Sequence, residues 1–493
     1  MSNKKLFANS FFYSLGVVLG KATGLLLLPI YTNFMSDHEY GIATTLTSFS
    51  AAFGIILSLS LRAAMIRFHN EYTDEQRKRF IGSIVSCVIL SSASFSAILI
   101  LSQQLYAPFV FKGIDFFPLI LAEIISMFFS AIYSIQQSVW QAEQNGKAYS
   151  VNSMLYLLGH GVINTVFVAV FKWGAGGIIY GSLVLNIIFA VYGVTRLVST
   201  KKMIFCLDKV ILKKSVLYSL PIIPHNLSNN ISTFVSKTIL NHSISYGASG
   251  HYTIASQVST IMSLVQSSIN LAFRPWFIEQ MENGDEGRKQ IRNTSVLICS
   301  VYCFVSVGVA LVSQEFMYVF TSAEYRVAWK LVPILVSALT ITFIYYSHIQ
   351  TIMYNVKASK FAFVCSITGC LTNILLAAVL VKPLDSYGVA LAYLLSQILL
   401  ATITVTFSRK AEKVDFGLGT MIFKICIAAA LMGGALLPSY IFSIPSFNIF
   451  NLLYKFAFLV VAFLILLKGY YKTVFNMLIS TISKKLKIGK NKK

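Results

Sequence analysis

Charge is scarce in this chain. Only 12% of its 493 residues are charged and just 18 are acidic, whereas 56% are hydrophobic. No water-soluble domain is built from that mixture. Other absences narrow the function. No Gly-x-x-x-x-Gly-Lys loop occurs, so the chain carries no ATPase of its own. No long outer loop carries His, Asp or Arg clusters, which argues against a membrane polymerase or glycosyltransferase. The seven cysteines show no metal or redox spacing. Cys299 and Cys303 share a helix face, where core packing is expected. The first apolar segment is too long for a cleavable signal peptide and has no small-residue cleavage site.

What is present is a series of apolar runs. A hydrocarbon layer of about 30 Å needs about 20 apolar residues per helix. Fourteen stretches approach that length: 10–32, 41–61, 81–103, 114–137, 150–171, 174–195, 215–241, 250–273, 293–313, 328–350, 361–381, 386–407, 420–441 and 450–472. The expected fold class is therefore an all-α polytopic membrane protein. The net charge of +22 would suggest nucleic acid in a soluble protein, but here its placement speaks for a membrane orientation. With the amino terminus in the cytoplasm, 30 of the 40 Lys and Arg residues fall inside; the outer loops hold only Lys112, Lys172, Arg326, Lys330 and Lys382. Both termini are expected in the cytoplasm. The Arg77-Lys78-Arg79 run and the basic tail read as orientation signals and contacts with anionic phospholipid, with no nucleic-acid partner.

A repeat divides the chain. Tyr40-Gly41-Ile42-Ala43 opens the second span, and Gly250-His251-Tyr252-Thr253-Ile254-Ala255 opens the eighth. Asn164 matches Asn373 at an offset of 209, and Gly177-Ile178-Ile179-Tyr180-Gly181 matches Gly388-Val389-Ala390-Leu391-Ala392 at 211. A shared spacing of about 210 residues points to duplication. Six spans per copy keep both halves in the same orientation, a parallel repeat about an axis along the membrane normal. The expected organisation is an N-lobe at 1–196, a cytoplasmic linker at 197–214 that can form a surface helix, a C-lobe at 215–408, two extra helices at 409–472 and a basic tail at 473–493. The lobes would rock about a central cavity.

Leu28-Pro29-Ile30-Tyr31, Glu39-Tyr40-Gly41, Leu220-Pro221-Ile222-Ile223-Pro224 and Ser236-Lys237-Thr238-Ile239-Leu240 resemble the polysaccharide transporter family. That family holds the Wzx-type flippases of lipid-linked O-antigen and capsule repeat units, within the multidrug/oligosaccharidyl-lipid/polysaccharide exporter superfamily. The resemblance covers essentially the whole chain. It departs at Ser236, where relatives often carry an acid. It implies a bacterial cytoplasmic membrane location, a lipid-linked oligosaccharide substrate, and a polymerase with chain-length machinery as candidate partners. No enzyme activity, cofactor or metal is expected.

A lipid-linked sugar carries a pyrophosphate, so its passage calls for fixed positive charge in a polar groove. Lys21 and Lys237 lie inside apolar runs, at a cost of about 2.5 to 3.5 kcal/mol each on insertion scales, so both are expected to face inward. Lys21 is the candidate mid-membrane contact, or else the partner of a buried acid such as Glu123; Lys237 lies nearer the outer mouth, where snorkelling is an alternative. Arg62 and Arg274 are expected to terminate helices two and eight at the inner mouth, with Arg67 close by. Asn226, Asn229 and Asn230 follow Pro221 and Pro224 and share a helix face, suited to sugar hydroxyls or to interhelical bonds. Glu123 is a candidate proton or cation site. His160 and His348 read as core histidines.

Three functions fit: a lipid-linked oligosaccharide flippase, with a peptidoglycan-precursor flippase as a close relative; a cation-coupled drug exporter; and a membrane enzyme of glycan assembly. The exporters usually carry a carboxylate in the first helix, where this chain has Lys21.

Overall fold

The computed structural model describes residues 20, 23–355, 357–358, 360–442 and 444–471; Lys21 lies outside them. The helices are α1 (Leu28–Phe34), α2 (Asp37–Leu57), α3 (Leu61–Phe68), α4 (Asp74–Leu101), α5 (Gln103–Val110), α6 (Leu121–Ala142), α7 (Gly146–Thr165) and α8 (Ala175–Ser199). They continue as α9 (Lys209–Ser219), α10 (Ile223–Ser243), α11 (Tyr246–Glu282), α12 (Gly284–Phe320), α13 (Val332–Tyr354), α14 (Phe361–Ala411), α15 (Leu418–Ile441) and α16 (Ile449–Leu466). No strand occurs among the described residues. Lipid offers no partner for a free N–H or C=O, so a chain this apolar closes its hydrogen bonds within helices.

Among the described residues, ten helices are long and apolar enough to cross a membrane, and the chain is a multi-pass membrane protein. The expected pair 361–381 and 386–407 forms one unit, α14, broken at Asp385, where φ is 48° and ψ is −135°. The expected seventh and eighth spans fold as α10 and α11, where the Asn, Ser and His content lowers the apolarity. Local chemistry marks the ends. Ser36 and Glu39 form a capping box at the start of α2, and Thr73 with Gln76 does the same for α4. The linker reaches Asp208 without regular structure before α9 begins; the Ile204 N–H donates to the Lys78 carbonyl at 3.2 Å, and Asp208 caps α9. Lys214 on α9 grips Glu71 at 2.7 Å and holds its carboxyl below the usual range.

Contacts divide the chain into two units. The first holds the described residues up to Thr260 with Met317–Leu331 and Phe363–Ser396. Its centre is α6, packed on α8, α4, α3 and α2, with Phe49, Leu57, Leu61, Met65, Phe80 and Ile124 buried. Leu155, Leu158 and Val162 on α7 are exposed, as lipid-facing residues must be.

The repeat is visible inside this unit as direct contact between equivalents. Thr44 and Thr253, 209 residues apart, share a hydrogen bond at 3.2 Å. Gly41 and Gly250 have the same separation, and a Cβ on Gly250 would come within 3.4 Å of the Gly41 nitrogen. Residues that touch their own copies lie at the axis relating the copies, and only glycine lets two backbones meet there. Asn164 donates to Tyr31 near the end of the first span at 3.1 Å, and its counterpart Asn373 donates to Ser232 and Ser236 in the seventh at 2.6 and 3.1 Å. Each copy thus ties its fifth span to its first.

The second unit holds Ile261–Phe316, Val332–Ala362 and the described residues from Gln397. Lys455 on α16 pairs with Glu315 on α12 at 2.7 Å, both buried, and also donates to Gln314 at 2.8 Å. Lys424 on α15 donates to the Leu466 carbonyl. The two C-terminal helices are thereby fastened by lysines whose charge lipid would not tolerate unpaired. Cys299 and Cys303 share a thiol–thiol hydrogen bond at 4.0 Å, sulfur to sulfur, and form no disulfide. His348 is buried against Phe416 and its Nδ1 faces the Ile344 carbonyl at 3.0 Å.

Candidate substrate cavity and its closed end

The first unit has an open cavity of about 640 Å³ between α2, α3, α6 and α10. Its walls carry Ser50, Ser58 and Ser60, the α6 serines Ser130 and Ser134, and Asn226 and Asn230 of α10; Arg62 is the one charged lining residue. Five hydroxyls, two carboxamides and a guanidinium are set among apolar neighbours that include Ile55, Ile66 and Met127, so the wall is mixed, with more apolar than polar surface. Asn230 donates to the Ala51 carbonyl at 3.2 Å, which fixes its amide at the wall.

Arg62 owes its position to a backbone break. Helix α2 ends at Leu57, and Leu59 and Ser60 both adopt φ of 49°, the left-handed region that residues with side chains rarely enter. The chain restarts as α3, so Arg62 stands in the first turn of a new helix instead of terminating α2. Its Nη2 donates to Gln141 Oε1 at 3.1 Å, a neutral partner that leaves the charge uncompensated. Strain of this kind persists where the surroundings enforce it, often at ligand sites.

The structure separates the other sequence candidates. Asn229 is exposed and does not line the cavity, although its neighbours Asn226 and Asn230 do. Lys237 is buried and donates to the Thr44 carbonyl at 3.0 Å, outside the lining. Arg67 is tied to Glu71 at 2.7 Å on the surface. Arg274 does not end its helix: α11 runs on to Glu282, and Arg274 belongs to the second unit. Glu123 is buried on α6 and accepts a hydrogen bond from Ser50, a lining residue; its Oε2 has no hydrogen-bond partner among the described residues.

Two polar rows were not recognised as such in the sequence, although His160 and Asn164 of the second were noted singly. Ser126, Ser130, Ser134 and Ser138 recur every fourth position on α6, a polar stripe readable from spacing alone. On α7, Asn152, Tyr156, His160 and Asn164 also fall four apart. Tyr133 donates to Asn152 at 3.0 Å, Tyr156 to Asn186 at 2.9 Å, His160 meets Ser182 at 3.2 Å, and Asn164 donates to Tyr31. His160, expected as a core histidine, is one rung of this ladder.

The amino-terminal end of α2 is shut. A Cβ on Gly41 would lie 1.8 Å from the Tyr246 carbonyl oxygen, and Thr45 contacts Ser249 at 3.4 Å while accepting from Asn241 at 3.0 Å. Tyr325 donates to the Met35 carbonyl at 3.1 Å above this seam. One helix therefore has a cavity along its second half and a close-packed joint along its first.

Comparison with known proteins accords with this architecture. A curated relative, an uncharacterized membrane protein of Haemophilus influenzae, is 21% identical over 368 residues, covering 73% of this chain and 87% of the relative. The fold is similar to that of the lipid II flippase MurJ in an inward closed conformation, with a TM-score of 0.70, 17% identity, and coverage of 95% of this chain and 99% of that one. It is also similar to an inward-facing multidrug resistance MATE family transporter of the MOP superfamily, with a TM-score of 0.61 and 13% identity over 79% of this chain and 94% of that one. Residues 6–281 match the family model described as polysaccharide biosynthesis protein, and the chain belongs to that family.

Proposed function

We propose that this protein is a flippase that carries polyprenyl-pyrophosphate-linked oligosaccharide units across the bacterial cytoplasmic membrane by alternating access. The observation that carries the reading is the cavity: a single guanidinium among serines and asparagines, closed at one end by a seam between repeat equivalents. Guanidinium groups bind phosphate oxygens through paired, charge-assisted hydrogen bonds. Hydroxyl and amide groups suit a glycan, and the polyprenyl tail can stay in lipid. On the positive-inside reading the cavity mouth beside Arg62 faces the cytoplasm, as do both termini, and the seam faces outward. Lys21 remains the proposed mid-membrane contact of the same path, with Arg62, Asn226 and Asn230 at the cavity and Arg67, Asn229, Lys237 and Arg274 as subsidiary contacts along it. The lobes at 1–196 and 215–408 would rock about the Gly41–Gly250 axis. A polymerase with its chain-length machinery would take up the product outside. The chain performs no bond-making chemistry in this scheme.

Glu123 supports ion coupling. Its unpartnered oxygen is the place for a proton or small cation, and Ser50 connects it to the cavity wall. A peptidoglycan-precursor flippase is the second reading, favoured by the fold shared with MurJ. A reconstituted assay with fluorescent polyprenyl-pyrophosphate oligosaccharide distinguishes these. Arg62→Ala is expected to lose transport and Arg62→Lys to keep part of it. Undiminished transport by Arg62→Ala contradicts the cavity's role, and a preference for lipid II over other glycans replaces the first reading by the second.

A further inference from the structure

Two residues at the carboxyl-terminal end of α6 each meet a cation, and they do so with different chemistry. Glu143, just past the last turn, pairs its carboxylate with Lys202 at 2.6 Å. Gln141 offers a neutral carboxamide oxygen to Arg62 at 3.1 Å. The same contrast holds for other cations of the first unit. Arg67, on α3 with Arg62, binds Glu71 at 2.7 Å, and Lys214 of α9 binds the second oxygen of Glu71 at 2.7 Å. Arg77 and Lys78 of α4 reach Asp74 and Glu75 at 2.8 and 2.9 Å. These cations are matched by carboxylates, whereas Arg62, the charged residue that lines the cavity, is held by an amide.

The sequence of α6 sets Gln141 in place. It lies two helical turns beyond Ser134, so it continues the face whose serines line the cavity. A guanidinium carries several N–H donors in a planar fork, and Gln141 takes one of them. Arg62 has no other hydrogen bond and no ion pair among the described residues, so its charge and the rest of its fork stay available. A carboxylate in place of the amide would fill the fork and cancel the charge before a phosphate arrived. An apolar side chain there would leave Arg62 to wander among rotamers, and ordering it on binding would cost affinity.

We propose that Gln141 is a positioning residue that sets anion selectivity: it orients the Arg62 guanidinium at the cavity and leaves the charge to a pyrophosphate headgroup. The inference deepens the proposed function and rests on Arg62 meeting that headgroup. It adds a reason for an amide at this position, since a glutamate of the same shape would make the site electrically neutral.

The test is a double-mutant cycle on the whole chain in detergent, read by titration with a polyprenyl pyrophosphate that carries no sugar. Gln141→Glu keeps the shape of the side chain and is expected to weaken binding about tenfold, because the new carboxylate occupies Arg62 and repels the headgroup. Gln141→Met removes the acceptor without adding charge and should cost about threefold. Both effects should largely vanish when Arg62 is already alanine, a coupling that a merely structural role would not produce. Binding of the uncharged polyprenol should be the same in all variants. Gln141 variants that bind the pyrophosphate as the wild type does, or that lose as much affinity without Arg62 as with it, overturn the role of Gln141 and leave the flippase reading in place. An equal loss of polyprenol binding marks general damage and overturns it as well. Wild-type affinity in Arg62→Ala removes the cavity reading itself, and this inference with it.

Discussion

The two halves of α2 solve opposite problems with similar residue types. Near its start, Gly41, Thr44 and Thr45 press against Tyr246, Thr253 and Ser249 until backbones touch. Near its end Ser50 and Gly54, with Ser58 and Ser60 just beyond it, line the cavity. Small polar residues are common to both. The difference lies in what stands opposite: the seam faces its own copy, whereas the cavity faces α6 and α10, and the break at Leu59 and Ser60 carries α3 away. Small residues therefore do not by themselves mark a packed interface or a substrate path.

The comparison can be broken most severely at Gly41. Gly41→Leu would drive a side chain into the Tyr246 carbonyl, and the expected loss is about 3 kcal/mol, at the upper end for overpacking, seen as a fall in melting temperature in detergent. Gly54→Leu on the cavity half is the matched control, because its nearest neighbour is Met127 at 3.9 Å. It should keep its stability while obstructing transport. At the cavity end, Arg62→Ala should weaken binding of a pyrophosphate lipid by about 1.5 to 3 kcal/mol, the worth of hydrogen bonds to a charged group, with little change in melting temperature because the side chain is exposed. Titration of the labelled lipid measures the first and a melt the second.

Lys237 sharpens the contrast between the two cations. It is buried on the Thr44 carbonyl, so Lys237→Met should lower stability by about 1 kcal/mol, one hydrogen bond, without altering substrate affinity at the cavity. An affinity loss matching that of Arg62→Ala would make Lys237 a main contact of the substrate and not a subsidiary one. The smallest effect belongs to Thr44→Val, which removes one hydroxyl from the seam and should cost about 0.5 to 1 kcal/mol in a melt.

The membrane class and the duplication were legible because apolar length and a 209-residue offset are properties of sequence, whereas ten helices among the described residues are long and apolar enough to span, against fourteen expected. Gly41 and Thr44 could be paired with Gly250 and Thr253 on paper, and they are neighbours in space. The position of Arg62 was not legible: nothing in Ser58-Leu59-Ser60-Leu61 announces two consecutive left-handed residues, because the surrounding packing imposes them. Arg274 looked equivalent to Arg62, yet α11 continues unbroken where α2 stops. Asn229 shared a predicted face with Asn226 and Asn230, but the cavity subtends only part of that face. The serine stripe of α6 could have been read and was hidden by the habit of treating serine as neutral in a membrane helix.

The central claim is that the seam must part while the cavity serves the substrate. Thr44→Cys with Thr253→Cys, in a chain without its native cysteines, puts two sulfurs where hydroxyls now sit 3.2 Å apart. Oxidation should lock the seam. The account predicts that the locked protein still binds the lipid-linked oligosaccharide, moves none of it, and recovers transport on reduction. Transport at an undiminished rate through a fully cross-linked seam would contradict it.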